Sequence, residues 1–320
     1  MKIAIIGSGA FGIALSQVFI KNTCDITMWT VPNEYEELIK YRTNDKVLKG
    51  IKVDDRIKIS TDLKEVVKDA KIIVIVIPVK YIGNTIKEVA NYITDNQHIC
   101  IASKGIIDEE CEFAYKTIQK YIHNDRIGVI SGGTFAIDMA KEYPMGLTIA
   151  SKNEDTTKII KEALTTNFIS CEVSNDVIGV EICGAIKNIL AIAMGILEGL
   201  SVVESTKYTF MTQCINDISK MIYSLGGKKD TVFTYAGIGD ILLTCGSSKS
   251  RNFTLGKMIG EKVSKKELDN YIENTTIEGL YTLKSMKNLL NQNDISMDLI
   301  NYLEDIIYND ANPESLIKLI

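Results

Sequence analysis

The chain begins with a short apolar segment, Lys2-Ile3-Ala4-Ile5-Ile6. It runs directly into Gly7-Ser8-Gly9-Ala10-Phe11-Gly12 and then into the apolar, helix-forming stretch from Ile13 to Ile20. G-x-G-x-x-G between a strand and a helix is the turn that starts a doubly wound α/β sheet and receives a dinucleotide pyrophosphate. Gly7 allows the tight turn, Gly9 lets the backbone approach the phosphates, and Gly12 lets the helix lie close to the strand. The start of that helix adds unpaired N–H groups and a partial positive charge. A ligand-free glycine-rich turn would carry the same letters. The strand before and the helix after are what point to a nucleotide.

The following segments alternate as a parallel sheet requires. Cys24 to Trp29 reads as the second strand. A dinucleotide-binding unit usually places an acid at its end, for the ribose hydroxyls. Here Trp29-Thr30-Val31 offers neither an acid nor an arginine, and Glu34 comes late. The choice between NAD(H) and NADP(H) is therefore open at this level. Residues 33–60 are charged and irregular, with one helix expected from Glu34 to Tyr41. Lys71 to Ile77 is a β-branched run stopped by Pro78, as in a strand buried on both faces. A helix follows from Tyr81 to Tyr92. His98 to Ala102 is the next strand, and it delivers Ser103-Lys104-Gly105 to the edge where such sheets bind ligands. Arg126 to Ile130 opens into Ser131-Gly132-Gly133-Thr134-Phe135-Ala136 and a helix from Ile137 to Glu142. Small and hydroxyl residues before a helix can serve as a plain cap or as a nest of donors for an anion. Strands are expected at Gly146 to Ser151 and at Ile169 to Val173.

From about Val177 only helical periodicity remains. Val180, Cys183, Ile186, Ile189 and Leu190 recur at three- and four-residue steps, and Lys187 is set among them. A lysine there either snorkels to water or needs a partner, and burial would lower its pKa toward a value useful for proton transfer. A second helix is expected from Tyr208 to Leu225. Asp240 follows the small residues Ala236-Gly237-Ile238-Gly239, and Ser250-Arg251-Asn252 opens a further helix. Serine caps helices, and arginine presents a planar fork suited to phosphate. The expected architecture is thus an α/β, mostly parallel Rossmann domain over 1–176 and an all-α domain over 177–320.

A net charge of −5 argues against a general nucleic-acid partner. Seven cysteines without a C-x-x-C pair read as reduced thiols in a cytoplasmic protein, and the strand beginning at Lys2 leaves no room for a signal peptide. Lys187, Asn188 and Glu198 make the long apolar run a poor membrane span. With only His98 and His123, no histidine cluster with metal-ligand spacing exists. The oligomeric state is not readable, although a homodimer through the helical domain is compatible with the pattern.

Taken together and in order, GSGAFG, SKGI (103–106), SGGTFA (131–136), GAIKN (184–188), AGIGDILLTC (236–245), SRNFTLG (250–256) and IEG (277–279) resemble the bacterial-type NAD(P)-dependent glycerol-3-phosphate dehydrogenases. The resemblance covers nearly the whole chain. It implies that dihydroxyacetone phosphate is reduced to sn-glycerol 3-phosphate with NADH or NADPH, feeding glycerophospholipid synthesis. It assigns proton transfer to Lys187 and substrate contacts to Lys104, Gly132, Thr134, Asp240, Ser250, Arg251 and Asn252. It places Ala10, Phe11, Lys104, Ala136, Arg251, Thr276 and Glu278 along the cofactor, beside Gly7, Gly9 and Gly12. Two departures stand out: Gly133 where the family usually has proline, and Val47-Leu48-Lys49 where it has tyrosine-leucine-proline. The nearest rival is a β-hydroxy acid or ketopantoate-type dehydrogenase of the same architecture. The 250–252 cluster and the SGGTFA loop favour a phosphorylated substrate. A non-catalytic nucleotide sensor would need none of Lys104, Lys187, Asp240 and Arg251.

Overall fold

The computed structural model describes residues 1–107 and 111–320. The chain's contacts divide it into two units. One comprises Met1–Lys104 and Ala114–Val177, the other Gly105–Phe113 and Ile178–Ile320. The sequence reading placed 105–113 with the first domain. The difference has a physical cause: Ile106 and Phe113 are buried in the hydrophobic core of the helical unit.

The first unit is built on β1 (Lys2–Ile6), β2 (Asp25–Trp29), β3 (Lys58–Ser60), β4 (Ile72–Ile75) and β5 (His98–Ile101). The short antiparallel strands β6 (Ile106–Ile107) and β7 (Glu112–Phe113) belong to the other unit. Then come β8 (Ile127–Ser131), β9 (Met145–Ser151) and β10 (Ile169–Ser174). The sheet order is β10-β9-β8-β5-β4-β1-β2-β3. Every pairing is parallel except β8 with β9. β1 and β4 lie at the centre, and Ile3 to Ile6 and Ile72 to Ile75 are buried without a break. That explains their unalternated β-branched runs, because both faces are covered. The helices are α1 (Ala10–Lys21), α2 (Pro32–Tyr41), α3 (Leu63–Val67), α4 (Ile82–Val89), α5 (Ala114–Gln119), α6 (Ala136–Ala140) and α7 (Glu154–Leu164).

The second unit is organised around α8 (Val177–Gly199). Residues 179–197 are all buried. This helix is long and apolar enough to cross a membrane, yet 89% of its most apolar window is buried inside protein, so it is the spine of a core. Around it lie α9 (Glu204–Ser224), α10 (Asp240–Cys245), α11 (Arg251–Gly260), α12 (Lys265–Asn274), α13 (Glu278–Gln292) and α14 (Asp298–Tyr308). α8 and α11 run in the same direction at backbone contact. A Cβ added at Gly195 would strike the Phe253 carbonyl oxygen, one at Gly256 the Ile192 oxygen, and one at Gly260 the Ile196 oxygen. Only hydrogen at those positions allows so close an approach. It is this approach that sets Asn188 of α8 against Asn252 of α11.

Candidate active site

In the nucleotide-binding unit, the fingerprint loop joins the carboxyl end of β1 to α1. Gly7 has φ +130°, and a Cβ there would come within 2.6 Å of the Val76 carbonyl oxygen. A Cβ on Gly12 would strike the oxygen of Gly7 itself. Gly9 differs: its backbone is extended (φ −69°, ψ 177°), and nothing lies within 4 Å of a Cβ added there. Two glycines are thus demanded by the fold, while the third faces open space at the N-terminus of α1. Ala10 and Phe11 form the first residues of that helix and are half-buried.

The same edge of the sheet carries the loops after β4, β5 and β8. The Ser103 hydroxyl donates to the Ile77 carbonyl at 2.6 Å and ties two of these loops together. The Lys104 ammonium donates to the Gly132 carbonyl at 3.4 Å, and the Thr134 hydroxyl donates to the same oxygen at 3.4 Å. Lys104, Gly132 and Thr134, which the resemblance assigns to the substrate, therefore meet at one oxygen. Gly132 is close-packed, since a Cβ there would sit 2.5 Å from the Gly146 oxygen. Ala136 begins α6, which starts after extended Phe135.

In the helical unit, the Lys187 ammonium donates to Asp240 Oδ1 at 2.6 Å. The lysine side chain is 11% exposed and the aspartate side chain 1%. Lys187 thus does not snorkel to water: its charge is held inside by a buried carboxylate. The Thr244 hydroxyl also reaches Asp240 Oδ1, at 3.3 Å. The aspartate is aimed by local backbone. Tyr235–Gly239 forms a π turn in which Gly237 leaves helical angles (φ −87°, ψ −106°), and Thr234 caps it by accepting from the Gly237 N–H. Asp240 then occupies the first turn of α10, where the helix dipole favours a negative charge. Cys245 lies one turn further on, and burial raises its thiol pKa, so it is an inert neighbour.

Beside this pair runs an amide relay. The Asn252 Nδ2 donates to Asn188 Oδ1 at 3.0 Å, and Asn252 Oδ1 accepts from the Gly279 N–H at 2.9 Å. Asn188 Nδ2 in turn donates to Glu278 Oε2 at 3.1 Å. The relay joins α8, α11 and the start of α13. Asn252 therefore spends both ends of its amide on the protein. Ser250 is buried and caps α11, its hydroxyl accepting from the Phe253 N–H. Arg251 is exposed in the first turn of that helix. Thr276 and Glu278 are exposed at the start of α13.

Asn188 and Thr244 were passed over as site residues in the sequence reading. A signal existed for each: an asparagine inside an apolar helix must find buried partners, and Thr244 stands four residues after Asp240, on the same helix face.

Residues 2–157 match the N-terminal domain and residues 176–318 the C-terminal domain of the NAD-dependent glycerol-3-phosphate dehydrogenases. The chain belongs to this family. It is 34% identical over 322 residues to a glycerol-3-phosphate dehydrogenase (NAD(P)+) of Leptospira biflexa, covering 99% of this chain and 96% of that one. It is 32% identical to the corresponding protein of Staphylococcus epidermidis, over 97% of this chain and 94% of that one. The crystal structure of glycerol-3-phosphate dehydrogenase from Coxiella burnetii superposes with a TM-score of 0.92 at 29% identity, over 99% of this chain and 97% of that one. As a family member, the chain is an NAD(P)-dependent oxidoreductase with a Rossmann unit and a helical unit.

Proposed function

We propose that this protein reduces dihydroxyacetone phosphate to sn-glycerol 3-phosphate, reversibly, with NADH or NADPH. The observation that carries this reading is the buried Lys187–Asp240 pair in a chain that matches the family along its length.

The open space at Gly9, at the N-terminus of α1, fits a pyrophosphate, because it is the one fingerprint glycine whose missing side chain is not explained by packing. Gly7, Gly9, Ala10, Phe11 and Gly12 would hold the cofactor there, with Lys104, Ala136, Arg251, Thr276 and Glu278 as further contacts. When bound, the reduced nicotinamide supplies the hydride. The chain's own part is to manage charge and proton at the carbonyl oxygen. Lys187 Nζ is the proton donor in reduction and the acceptor in oxidation, and its ammonium stabilises the negative charge that develops on that oxygen. Asp240 holds the ammonium in one place, so no reorganisation is needed as charge develops. Arg251, with Ser250 and Asn252, provides the phosphate contacts, and Lys104, Gly132 and Thr134 the other substrate contacts. Binding energy from the phosphate is then available to orient the carbonyl.

The same reading makes the protein cytoplasmic, in keeping with seven buried cysteines outside any disulfide. Its product would feed glycerophospholipid synthesis. The test is oxidation of NADH and NADPH in the presence of dihydroxyacetone phosphate, with unphosphorylated dihydroxyacetone as control. Oxidation that requires the phosphate ester is expected. Preferred turnover of a ketopantoate-like or β-keto carboxylate would overturn the assignment.

A further inference from the structure

The second strand ends without the acid that commonly receives the adenosine ribose, yet the fold brings one there. β2 stops at Trp29, and α2 starts at Pro32. The first turn of α2 swings Glu34 back to the fingerprint loop, where the Ser8 hydroxyl, between the first two glycines, donates to Glu34 Oε2 at 3.0 Å. Ser8 has one hydroxyl proton. With that proton given to Glu34, the buried Thr30 hydroxyl is the donor in the 2.7 Å contact between Thr30 and Ser8. Asn44 Nδ2 approaches the same Glu34 oxygen at 3.4 Å. Both bonds to Glu34 fall on Oε2. Among the described residues, none falls on Oε1. The carboxylate is therefore fixed by one oxygen, beside the nucleotide loop, with the other left to accept.

The charges around it point the same way. Thr30, Val31, Pro32 and Asn33 carry no cation. Arg42, at the far end of α2, donates to the carbonyls of Asp54 and Ile57 and pairs with Asp55. Lys46 pairs with Glu37, and Lys52 with Asp55. A ribose bearing a 2′-hydroxyl can donate to Oε1. A 2′-phosphate, with a charge of about −1.5 to −2, would meet a fixed carboxylate instead.

We propose that Glu34 is the ribose-binding acid of this chain and that it selects NAD(H) over NADP(H). The proposal rests on the dehydrogenase reading above and names the cofactor that reading left open.

The test separates the two. Calorimetric titration with 5′-ADP and with adenosine 2′,5′-bisphosphate probes the adenosine end with no chemistry involved. The wild-type protein should bind 5′-ADP at least about tenfold more tightly. Glu34→Gln keeps an oxygen for Ser8 and removes the charge, so the gap should shrink about tenfold. The ratio of kcat/KM for NADH to that for NADPH should move in parallel. Equal binding of the two nucleotides by the wild type would overturn the proposal whatever the variant does, and so would a ratio unchanged in a folded Glu34→Gln. A gap that closes in the variant, in a protein without turnover of dihydroxyacetone phosphate, would uphold the role of Glu34 and sink the substrate assignment.

Discussion

Lys187 and Asp240 stand 53 residues apart in sequence and 2.6 Å apart in space, and both are withdrawn from water. Two buried opposite charges are costly to separate, since removing one leaves the other without its partner. Lys187→Met should therefore lower both turnover and stability. Loss of the proposed proton donor should reduce kcat by about 10²- to 10⁴-fold, with a much smaller change in KM for dihydroxyacetone phosphate. A buried Asp240 without its countercharge should cost about 3–5 kcal/mol in denaturant unfolding. Adding Asp240→Asn to Lys187→Met should recover part of that stability and none of the activity. A Lys187→Met variant that kept near-normal turnover would remove lysine from the mechanism.

The close crossing of α8 and α11 gives a second expectation. Gly195 and Gly256 face each other across that contact, with their Cβ positions already occupied by the partner helix's backbone. Backbone cannot rotate away as a side chain can. Gly256→Ala should therefore push the helices apart and destabilise the protein by about 1–3 kcal/mol or more. Because Asn188 and Asn252 hydrogen-bond across the same crossing, activity should fall with stability. Alanine at Gly226, where nothing lies within 4 Å of the added Cβ, tests a different effect. Its φ of +90° makes the cost one of backbone strain, with activity at a temperature where the protein is folded left intact. Thermal melts paired with turnover assays distinguish the two.

Much of this architecture could be read from local pattern. The first strand, its glycine turn and its helix carry their signal within twenty residues, and α8 shows its buried face through three- and four-residue spacing. What escaped depends on distant packing. β3 is three residues long and lies at the sheet edge beside β2, so it carries no periodicity of its own. The strands β6 and β7 are two residues each, and their place is decided by Ile106 and Phe113 entering the helical core. At the site, the resemblance placed Asp240 among the substrate contacts, and its pairing with Lys187 shows only in the structure. The π turn before it turns the carboxylate onto the lysine. Glu34 looked late because the reading counted along the strand, whereas the first turn of α2 returns it to the loop.

His98 predicts how stability should follow pH. It is fully buried at the start of β5, and the Arg126 guanidinium donates to its Nε2 at 3.2 Å. Arginine can only donate, so Nε2 is the acceptor and Nδ1 carries the proton. Nδ1 donates to the Thr156 hydroxyl at 2.9 Å, and that hydroxyl donates to Asn153 Oδ1 at 3.1 Å. The network accepts only the neutral ring. Burial, with the charges of Lys71 and Arg126, lowers its pKa to about 4 from 6.5. Between those values the unfolded chain takes up a proton that the folded one refuses. The His98 contribution to stability is therefore complete above pH 6.5 and lost progressively as pH falls toward 4. Carboxylates add their own slope in the acid range, so the informative quantity is the difference between wild type and His98→Asn. The variant should be less stable at neutral pH and show a flatter decline over this window. Parallel stability profiles would mean that His98 titrates alike in both states.

Gly9 separates a demand of the fold from a demand of the ligand. Its extended backbone suits any residue, and a Cβ there meets nothing within 4 Å. Gly9→Ala should therefore leave the cofactor-free protein as stable as the wild type, within about 0.5 kcal/mol. The added methyl group would stand where a pyrophosphate must approach the backbone, so affinity for NADH should fall by about tenfold or more. Gly7→Ala is the contrasting case. With φ +130° and the Val76 carbonyl in the way, it should destabilise the cofactor-free protein itself. Melting temperature without cofactor and NADH affinity by fluorescence titration are the two readouts. Unchanged NADH binding in Gly9→Ala would show that the phosphates do not lie against this glycine, and the site would have to be sought elsewhere along the sheet edge.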